Sequence, residues 1–303
     1  MKKYFTSLVL TLIACSWASF TVLAQEADST AAPINENEKI AKELVNPNTT
    51  LGLMAFPIDY VHYKGTAPGA SSQNGLVINF QPSLPIPLSK SVNLFVRPLI
   101  PLHISQPTMG EQGFSQQGVN LGNISADVAV GKTWPSKFIS ILGVFGSFPT
   151  ATVEALKAPH ITLGPELMLA QLTDWGGIGL LVNHSWSVNS PGGVDAPLSP
   201  EYMWATNNGT EASSVTAGQY FYVVNLRNAW QITGQPTWAF NHKASKGNRL
   251  SLPLGTGVSK VTKFGKLPVK ISLQYWYYVA SPDMFGAQHQ VRLQIAPVIP
   301  LPW

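Results

Sequence analysis

Residues 249–283 alternate between apolar and polar side chains on both sides of a short gap rich in glycine and lysine. Before the gap, Leu250, Leu252 and Leu254 are separated by Ser251 and Pro253. After the gap, the apolar positions are Val269, Ile271, Leu273, Tyr275 and Tyr277. A period of two predicts β-strands, each with one apolar and one polar face. These apolar faces must pack into a core or, if the pattern fills the chain, close into a ring surrounded by lipid.

The composition favours the second outcome. The chain has 303 residues, of which 45% are hydrophobic and only 11% are charged, whereas soluble domains carry about 25% charged residues. After residue 25, no apolar run reaches the roughly 20 residues that a membrane-spanning helix needs. Alternating strands that cross a membrane reconcile these two observations. The net charge of +4 is small, and no basic cluster is interleaved with aromatic residues, so nucleic acid is not predicted as a partner.

The N-terminus predicts export. Lys2 and Lys3 precede the apolar stretch LVLTLIACSWASF, and VLA at 22–24 provides small residues for cleavage, so residues 1–24 are interpreted as a signal peptide. An alternative is lipidation at Cys15, which ends a lipobox-like LIAC. Cleavage after Ala24 removes the only cysteine, which leaves neither disulfides nor thiol chemistry. Residues 25–50 predict a polar, disordered periplasmic lead-in with one short helix over NEKIAKELV.

About twelve strands are predicted from residue 51 onward, each long enough for a tilted crossing of a bilayer. Short turns, such as QIT at 231–233, alternate with longer connections, the longest at 189–216. A secreted, soluble β-sandwich is the alternative, but it has no reason to sort its connections by length. We therefore predict an all-β fold, a single up-and-down antiparallel transmembrane β-barrel over residues 51–303. The predicted strands are 51–62, 74–84, 91–104, 119–133, 137–149, 159–171, 175–188, 217–229, 232–243, 248–260, 267–279 and 287–299.

Aromatic residues agree with an outer-membrane location. Trp134, Trp175, Trp230 and Trp303 all fall at the short-turn end of the predicted barrel, where an interfacial girdle is expected. The short-turn end is then periplasmic, and the loop at 189–216 lies outside the cell. The expected partners are outer-membrane lipids and the barrel-assembly machinery of a Gram-negative bacterium. The final strand resembles the assembly signal of such barrels, although Pro297, Pro300 and Pro302 depart from it.

The segment LSLPLGTGVSKVTKFGKLPVKISLQYWYYVASPD at 250–283, followed by HQVRLQIAP, resembles a family of bacterial outer-membrane transporters. Many members of that family are mislabelled "neuromedin U", and they are related to proteins associated with phenol degradation by the meta-pathway. Thr256, Ser259 and Lys270 depart from the family pattern. The resemblance implies a membrane barrel far more strongly than it implies any one substrate. The matching residues are Pro253, Leu254, Gly255, Gly257, Val258, Lys260, Val261, Lys263, Gly265, Lys266, Pro268 and Val269.

No catalytic or cofactor-binding motif is found. The chain contains no Walker loop, HExxH, GxSxG or paired cysteines, and its six histidines are scattered without metal-ligand spacing. His184 and Ser185 are adjacent, but neighbours on a strand point to opposite faces and cannot form a nucleophile–base pair. The sequence therefore predicts a protein that is not an enzyme and needs no cofactor.

The polar face of the strands predicts the lining of the lumen. Charge is costly on a lipid-facing surface and tolerated in a wet interior. Cations outnumber carboxylates on this face, which predicts a mild preference for anions. We predict a passive pore for small organic solutes, aromatic ones among them; the alternatives are a structural or adhesion barrel whose lumen is closed by its own side chains, and the soluble module. The predicted lining residues are Arg97, His103, Asp127, Glu166, Arg227, Arg249, Lys270, Trp276 and Arg292.

Overall fold

A computed structural model describes residues 35–110, 112–188 and 212–302. The predicted signal peptide, Trp303 and most of the loop at 189–216 lie outside the described residues. Helix α1 (Glu36–Glu43) precedes the strands. These are β1 (Gly52–Lys64), β2 (Asn74–Pro87), β3 (Val92–Gly110), β4 (Gly113–Gln117), β5 (Asn120–Leu121), β6 (Ser125–Thr133), β7 (Phe138–Ser147), β8 (Thr162–Leu172), β9 (Gly176–Ser187), β10 (Ser214–Asn225), β11 (Trp230–Gly234), β12 (Thr237–Asn241), β13 (Leu250–Phe264), β14 (Leu267–Ala280) and β15 (Gly286–Ile299).

The strands close into a ring of twelve positions. Each wall strand pairs antiparallel with its sequence neighbours, and β15 pairs with β1 to complete the circle. Strands β11 and β12 are successive pieces of one position between β10 and β13, while β4 and β5 pair only with β3. The prediction of an up-and-down antiparallel barrel of about twelve strands is confirmed. Because the circle is closed, each wall strand in the described ranges pairs with a neighbour on both sides. A lipid environment requires such pairing, because it offers no water to unpaired backbone groups.

The two faces of the wall differ as the alternation predicts. Apolar side chains of one parity point outward; Leu142 is 65% exposed and Leu254 is 56% exposed. Residues of the other parity are buried and mostly polar, as with Ser259, Ser272 and Gln274. The exterior is therefore an apolar band and the interior is polar, the reverse of a soluble protein.

One predicted turn is wrong. The connection between β10 and β11 lies at Leu226–Ala229 rather than at 231–233, because Asn228 and Ala229 adopt positive φ angles of 58° and 60°. Two successive residues in the left-handed region match the twist of a tight antiparallel hairpin. The Leu226 amide donates to the Trp230 carbonyl and closes this turn. Strand β11 consequently begins at Trp230, and Arg227 lies in the turn.

Aromatic side chains mark both ends of the apolar band. At the short-turn end, Trp134, Trp175 and Trp230 are 42%, 46% and 43% exposed. The ammonium groups of Lys132 and Lys260 lie over the rings of Trp134 and Trp230, at 3.9 and 4.9 Å from the centroids. At the opposite end, the exposed rings are Tyr60, Trp186, Tyr275 and Tyr277. Amphipathic rings at two levels are typical of the two membrane interfaces.

Residues 35–51, expected to be disordered apart from a short helix, are ordered. Helix α1 begins after Asn35, whose side chain accepts a hydrogen bond from the Asn37 amide at 2.7 Å. Glu36 and Glu38 in the first turn and Lys42 in the last oppose the helix dipole favourably. No helix within the described ranges is long and apolar enough to cross a membrane.

Candidate functional site in the barrel lumen

Two chambers in the described part of the lumen share four of their lining residues. The upper chamber, toward the long connections, has a volume of about 450 Å³. The lower chamber, toward the short turns, has a volume of about 240 Å³. Gln81, Arg97, Gln219 and Arg292 line both chambers. We call these four residues the ring, because they form the shared boundary of the two chambers.

Arg97 is held in the ring by two carboxylates. The β3–β6 register places it directly opposite Asp127, and its Nε donates to Asp127 at 2.7 Å. Its Nη2 donates to Glu166, on β8, at 2.6 Å. All three side chains are at least four-fifths buried. Breaking either pair would leave a buried charge uncompensated, so the geometry fixes the guanidinium in place.

Arg292 is held by one carboxylate, that of Asp59. Arg292 on β15 lies opposite Asp59 on β1, and its Nε and Nη2 donate to the two carboxylate oxygens at 2.6 and 2.8 Å. Asp59 also accepts from Gln290 at 2.8 Å and from Asn79 at 3.2 Å. The Arg292 guanidinium lies 4.4 Å from the centre of the Trp276 ring. Bidentate pairing and stacking together hold this second guanidinium rigidly.

Lys270 differs from both arginines. It lines the lower chamber, and no hydrogen bond or ion pair joins it to any described residue. Its cross-strand partners are Val261 and Ala296, both almost fully buried and apolar. Neither neighbour has a polar side-chain group that could pair with the Lys270 ammonium.

Part of the lower lumen is filled by apolar side chains. Phe95 is 1% exposed and packs with a cluster on β6, β7 and β8. Phe221 packs against the same cluster. The lumen is therefore narrower than a ring of twelve strands alone would make it. The buried members of the cluster are Phe95, Ala129, Ile139, Ile141, Met168 and Ala170.

The segment at 35–51, which we call the plug segment, crosses the short-turn end of the lumen. Its helix packs against Ala229 and Val261, on the β11–β13 side, and Gln231 donates to the Ala41 carbonyl at 2.9 Å. A methyl group on Gly177 of β9 would come within 2.8 Å of Val45, so these residues are adjacent. Beyond Val45 the chain reaches the β3–β6 side, which is almost opposite in the strand order.

Asn48 anchors the far end of the plug segment. This residue is 4% exposed. Its Nδ2 donates to the Thr133 hydroxyl at 2.8 Å and to the Ser91 carbonyl at 3.1 Å. Asn93 donates to the Asn48 carbonyl at 2.8 Å and to its side-chain oxygen at 3.3 Å. The segment is thus fixed at both ends and forms the floor of the lower chamber, which Leu44, Val45, Asn46, Pro47, Thr49 and Leu51 line.

The break between β11 and β12 also shapes the lumen. It falls at Gln235 and Pro236, where proline cannot donate to the ladder. The freed Gln235 amide donates to Gln274 at 3.1 Å, and its carbonyl accepts from Gln219 at 2.8 Å. The Gln235 side chain donates to Gln294 at 2.7 Å. Inward-facing glutamines therefore form the hydrogen bonds that the backbone of Gln235 lacks at this break, and Gln219, Gln235 and Gln294 line the lower chamber with amides.

The other predicted lining residues have different positions. His103 is buried beneath the connection after β5, where a methyl group on Gly122 would clash with it. Arg249 is exposed near the β12–β13 connection, and its Nε donates to the Ala244 carbonyl at 2.8 Å. Arg227 is exposed in the β10–β11 turn and does not lie on the wall. Trp276 is fully buried against Gly255, which leaves room for its ring.

The expected excess of lumen cations is not found among the described residues. Arg227 and Arg249 line neither chamber. Asp59, which is not among the predicted lining residues, adds a carboxylate beside Arg292. Its position follows from the alternation, because Phe56, Ile58 and Tyr60 are apolar on the opposite parity. Three cations (Arg97, Lys270 and Arg292) are balanced by three carboxylates (Asp59, Asp127 and Glu166) at the chambers.

His184 and Ser185 are adjacent on β9. His184 contacts Thr216 at 2.7 Å and the ring of Trp186, on the outward face. Ser185 is 7% exposed, and Asn183, two positions earlier on the same face of the strand, lines the upper chamber. The two side chains therefore point to opposite faces. Within the described ranges, no three histidine, cysteine or acidic residues form a group that could hold a metal ion.

No family model and no curated protein sequence matches the chain. Among solved structures, it is similar to an outer-membrane channel from Pseudomonas putida F1, with a TM-score of 0.57 and 13% identity over 90% of this chain and 100% of that one. It is less similar to the NanC porin, with a TM-score of 0.47 and 8% identity over 81% of this chain and 100% of that one. For the monoaromatic hydrocarbon channel CymD, the values are 0.41 and 7% over 88% and 92%. At these identities the likeness to the Pseudomonas channel shows the fold, and the weaker ones carry no argument.

Proposed function

We propose that the protein is an outer-membrane barrel that acts as a passive pore for small organic solutes. The observation that carries this proposal is the ring shared by the two chambers, because it places polar and charged side chains next to both cavities inside an apolar exterior. The volume of the upper chamber falls within the roughly 300–1,000 Å³ typical of sites for small molecules. A closed structural barrel has no need for a cavity of this size lined by fixed charges.

The lining of the upper chamber favours weakly polar organic solutes. Leu99, Phe145, Leu181 and Trp238 lie beside the charged residues of the ring. Apolar walls with a few placed polar groups are typical of sites that hold organic molecules. This mixture supports aromatic solutes as part of the proposed range, in line with the resemblance to transporters related to phenol degradation.

Reconstitution in planar bilayers tests the pore. We expect discrete conductance steps, and swelling of proteoliposomes in solutions of small organic solutes. A protein that inserts, shown by protease-resistant barrel bands, but neither conducts nor permits swelling would contradict a pore and favour the structural or adhesion barrel. A mature chain that stays monomeric in buffer without detergent would contradict the membrane location, because its outward band would be an exposed apolar patch.

The remaining proposals concern export and orientation. We propose cleavage after Ala24, lipids and the barrel-assembly machinery as partners, and the long connections on the cell exterior. N-terminal sequencing of the membrane protein should begin at Gln25; a lipid-modified Cys15 would contradict the proposed cleavage. An epitope inserted near Asn208 should be reached by antibody on intact cells, and staining restricted to permeabilised cells would invert the orientation.

A further inference from the structure

We infer that the lower chamber binds an organic monocarboxylate with an apolar body, the class that includes benzoate. This inference rests on the proposed function, because it names a class of solute for the same lumen. Its starting observation is Lys270, a cation in the wall of a chamber of about 240 Å³ with no carboxylate partner among the described residues.

The contrast with the other lumen cations is the first argument. Arg97 and Arg292 each bind carboxylates of the wall at 2.6–2.8 Å, so their charges are already compensated. Placing a cation in a confined interior without a partner is costly. Val261 and Ala296, beside Lys270 on the neighbouring strands, provide no compensation. An anion that enters the chamber gains this interaction without displacing an existing ion pair.

The walls of the chamber supply the second argument. Met168 lines it from β8, five positions from β14 in the strand order and so almost opposite Lys270. Phe221 and Val223 line it from β10, three positions from β14. Val45 of the plug segment adds an apolar part of the floor. An inorganic anion would lose hydration against these side chains and gain nothing from them. A ring or short alkyl group would bury apolar surface there.

The amide groups supply the third argument. Gln235 and Gln294 line the chamber beside Lys270 and are hydrogen-bonded to each other at 2.7 Å. An amide carries both donors and acceptors, so the free positions of this pair can donate to a carboxylate oxygen. One ammonium with neutral donors suits a single negative charge. The chamber therefore matches a monocarboxylate better than a phosphate or a dicarboxylate.

Calorimetric titration of the detergent-solubilised full barrel tests the inference with three probes. Benzoate should bind at least about ten-fold more tightly than benzamide, which has the same ring without the charge. It should also bind more tightly than acetate, which has the charge without the ring. Equal binding of benzoate and benzamide would overturn the role of the charge, and equal binding of benzoate and acetate would overturn the role of the apolar wall.

Two variants assign the effect to the chamber. Lys270→Met should lower benzoate affinity about ten-fold and leave benzamide binding unchanged, whereas Lys260→Met, on the outer surface over Trp230, should match the wild type. Unchanged benzoate binding in Lys270→Met would overturn the inference. If that variant did not fold, the three wild-type titrations would still test whether the chamber recognises both the charge and the apolar body of benzoate. Measuring the conductance of the same preparations separates the benzoate inference from the proposed pore. A barrel that conducts but does not bind benzoate overturns only the inference. A barrel that binds benzoate but does not conduct overturns only the pore.

Discussion

Removing the anchor of the plug segment should open the lower end of the lumen. Asn48→Ala deletes three side-chain hydrogen bonds, to Thr133, Ser91 and Asn93, and keeps the bond from Asn93 to the Asn48 carbonyl. At about 1 kcal/mol net for each bond, the docked state loses roughly 2–3 kcal/mol. That loss multiplies the ratio of undocked to docked protein by roughly 30 to 150. Single-channel recordings should show a large increase in the open fraction.

The matched control is Asn74→Ala. Asn74 also uses its side chain for hydrogen bonds, from Tyr60 and with His62 at 2.9 Å each, but its two partners belong to the aromatic group near the long-loop end. The Asn74→Ala variant should therefore have the same open fraction as the wild type. Equal conductance in Asn48→Ala and wild-type protein, with both barrels folded, would refute the closure of the lumen by the plug segment.

A reversible crosslink tests the same closure without deleting any contact. Val45 and Gly177 are adjacent, so cysteines at both positions are near enough for a disulfide, and cleavage after Ala24 would leave no competing thiol. The oxidised double variant should be closed, and a reductant should restore wild-type gating. If the crosslink is verified by mass spectrometry and the conductance is the same before and after the reductant is added, solutes bypass the plug segment.

Three further outcomes follow from the described contacts. Arg97→Ala leaves two lumen carboxylates unpaired and should shift the reversal potential in a KCl gradient toward cation selectivity. Arg227→Ala, in the turn, should not shift it. An unchanged reversal potential in both variants would show that Arg97 does not lie on the conduction path. Leu142→Arg on the lipid face should lower the free energy of unfolding in vesicles by about 2–4 kcal/mol, whereas Leu88→Arg in a turn should have little effect. The hydrogen bond from Lys263 of β13, together with the charge of that lysine, lowers the pKa of Glu36 from 4.5. Docking of the plug segment on the wall is therefore favoured above pH 4.5 and weakens as the pH falls below it. Opening should rise modestly with acid, and Glu36→Gln should abolish that rise.

The barrel could be predicted from the sequence because its main signals are local. Alternation along 250–254 and 269–277 assigns each side chain to a face, and the order of short and long connections assigns the two ends. The same rule failed at Arg227, because parity was counted through a turn whose Asn228 has a positive φ of 58°. A slip of a few residues at a hairpin moves a charge from the lumen to a surface turn.

The plug segment could not be predicted in the same way. Its residues are mostly polar, and its order comes from partners far away in sequence, such as Ser91 and Gln231. Asn48 looks like an ordinary loop residue until Thr133 is brought beside it. The pairing of Arg97 with Asp127 likewise depends on the exact register of β3 and β6. The composition of a segment shows whether it can remain in water, but it does not show whether the segment docks on the wall. Docking depends on complementary groups that come together only when the wall has folded.

The two kinds of lumen cation imply an order of selection along the path. Arg97 and Arg292 are anchored by short, compensated contacts, so in the proposed pore we expect the ring to discriminate solutes by size more than by charge. Lys270 has a flexible stem and an uncompensated ammonium below the ring, so it can adjust to a bound anion. In the proposed pore, a solute that enters from the long-loop side would therefore meet a rigid size filter first and an uncompensated charge second. Its exit would then depend on undocking of the plug segment, because that segment forms the floor of the lower chamber.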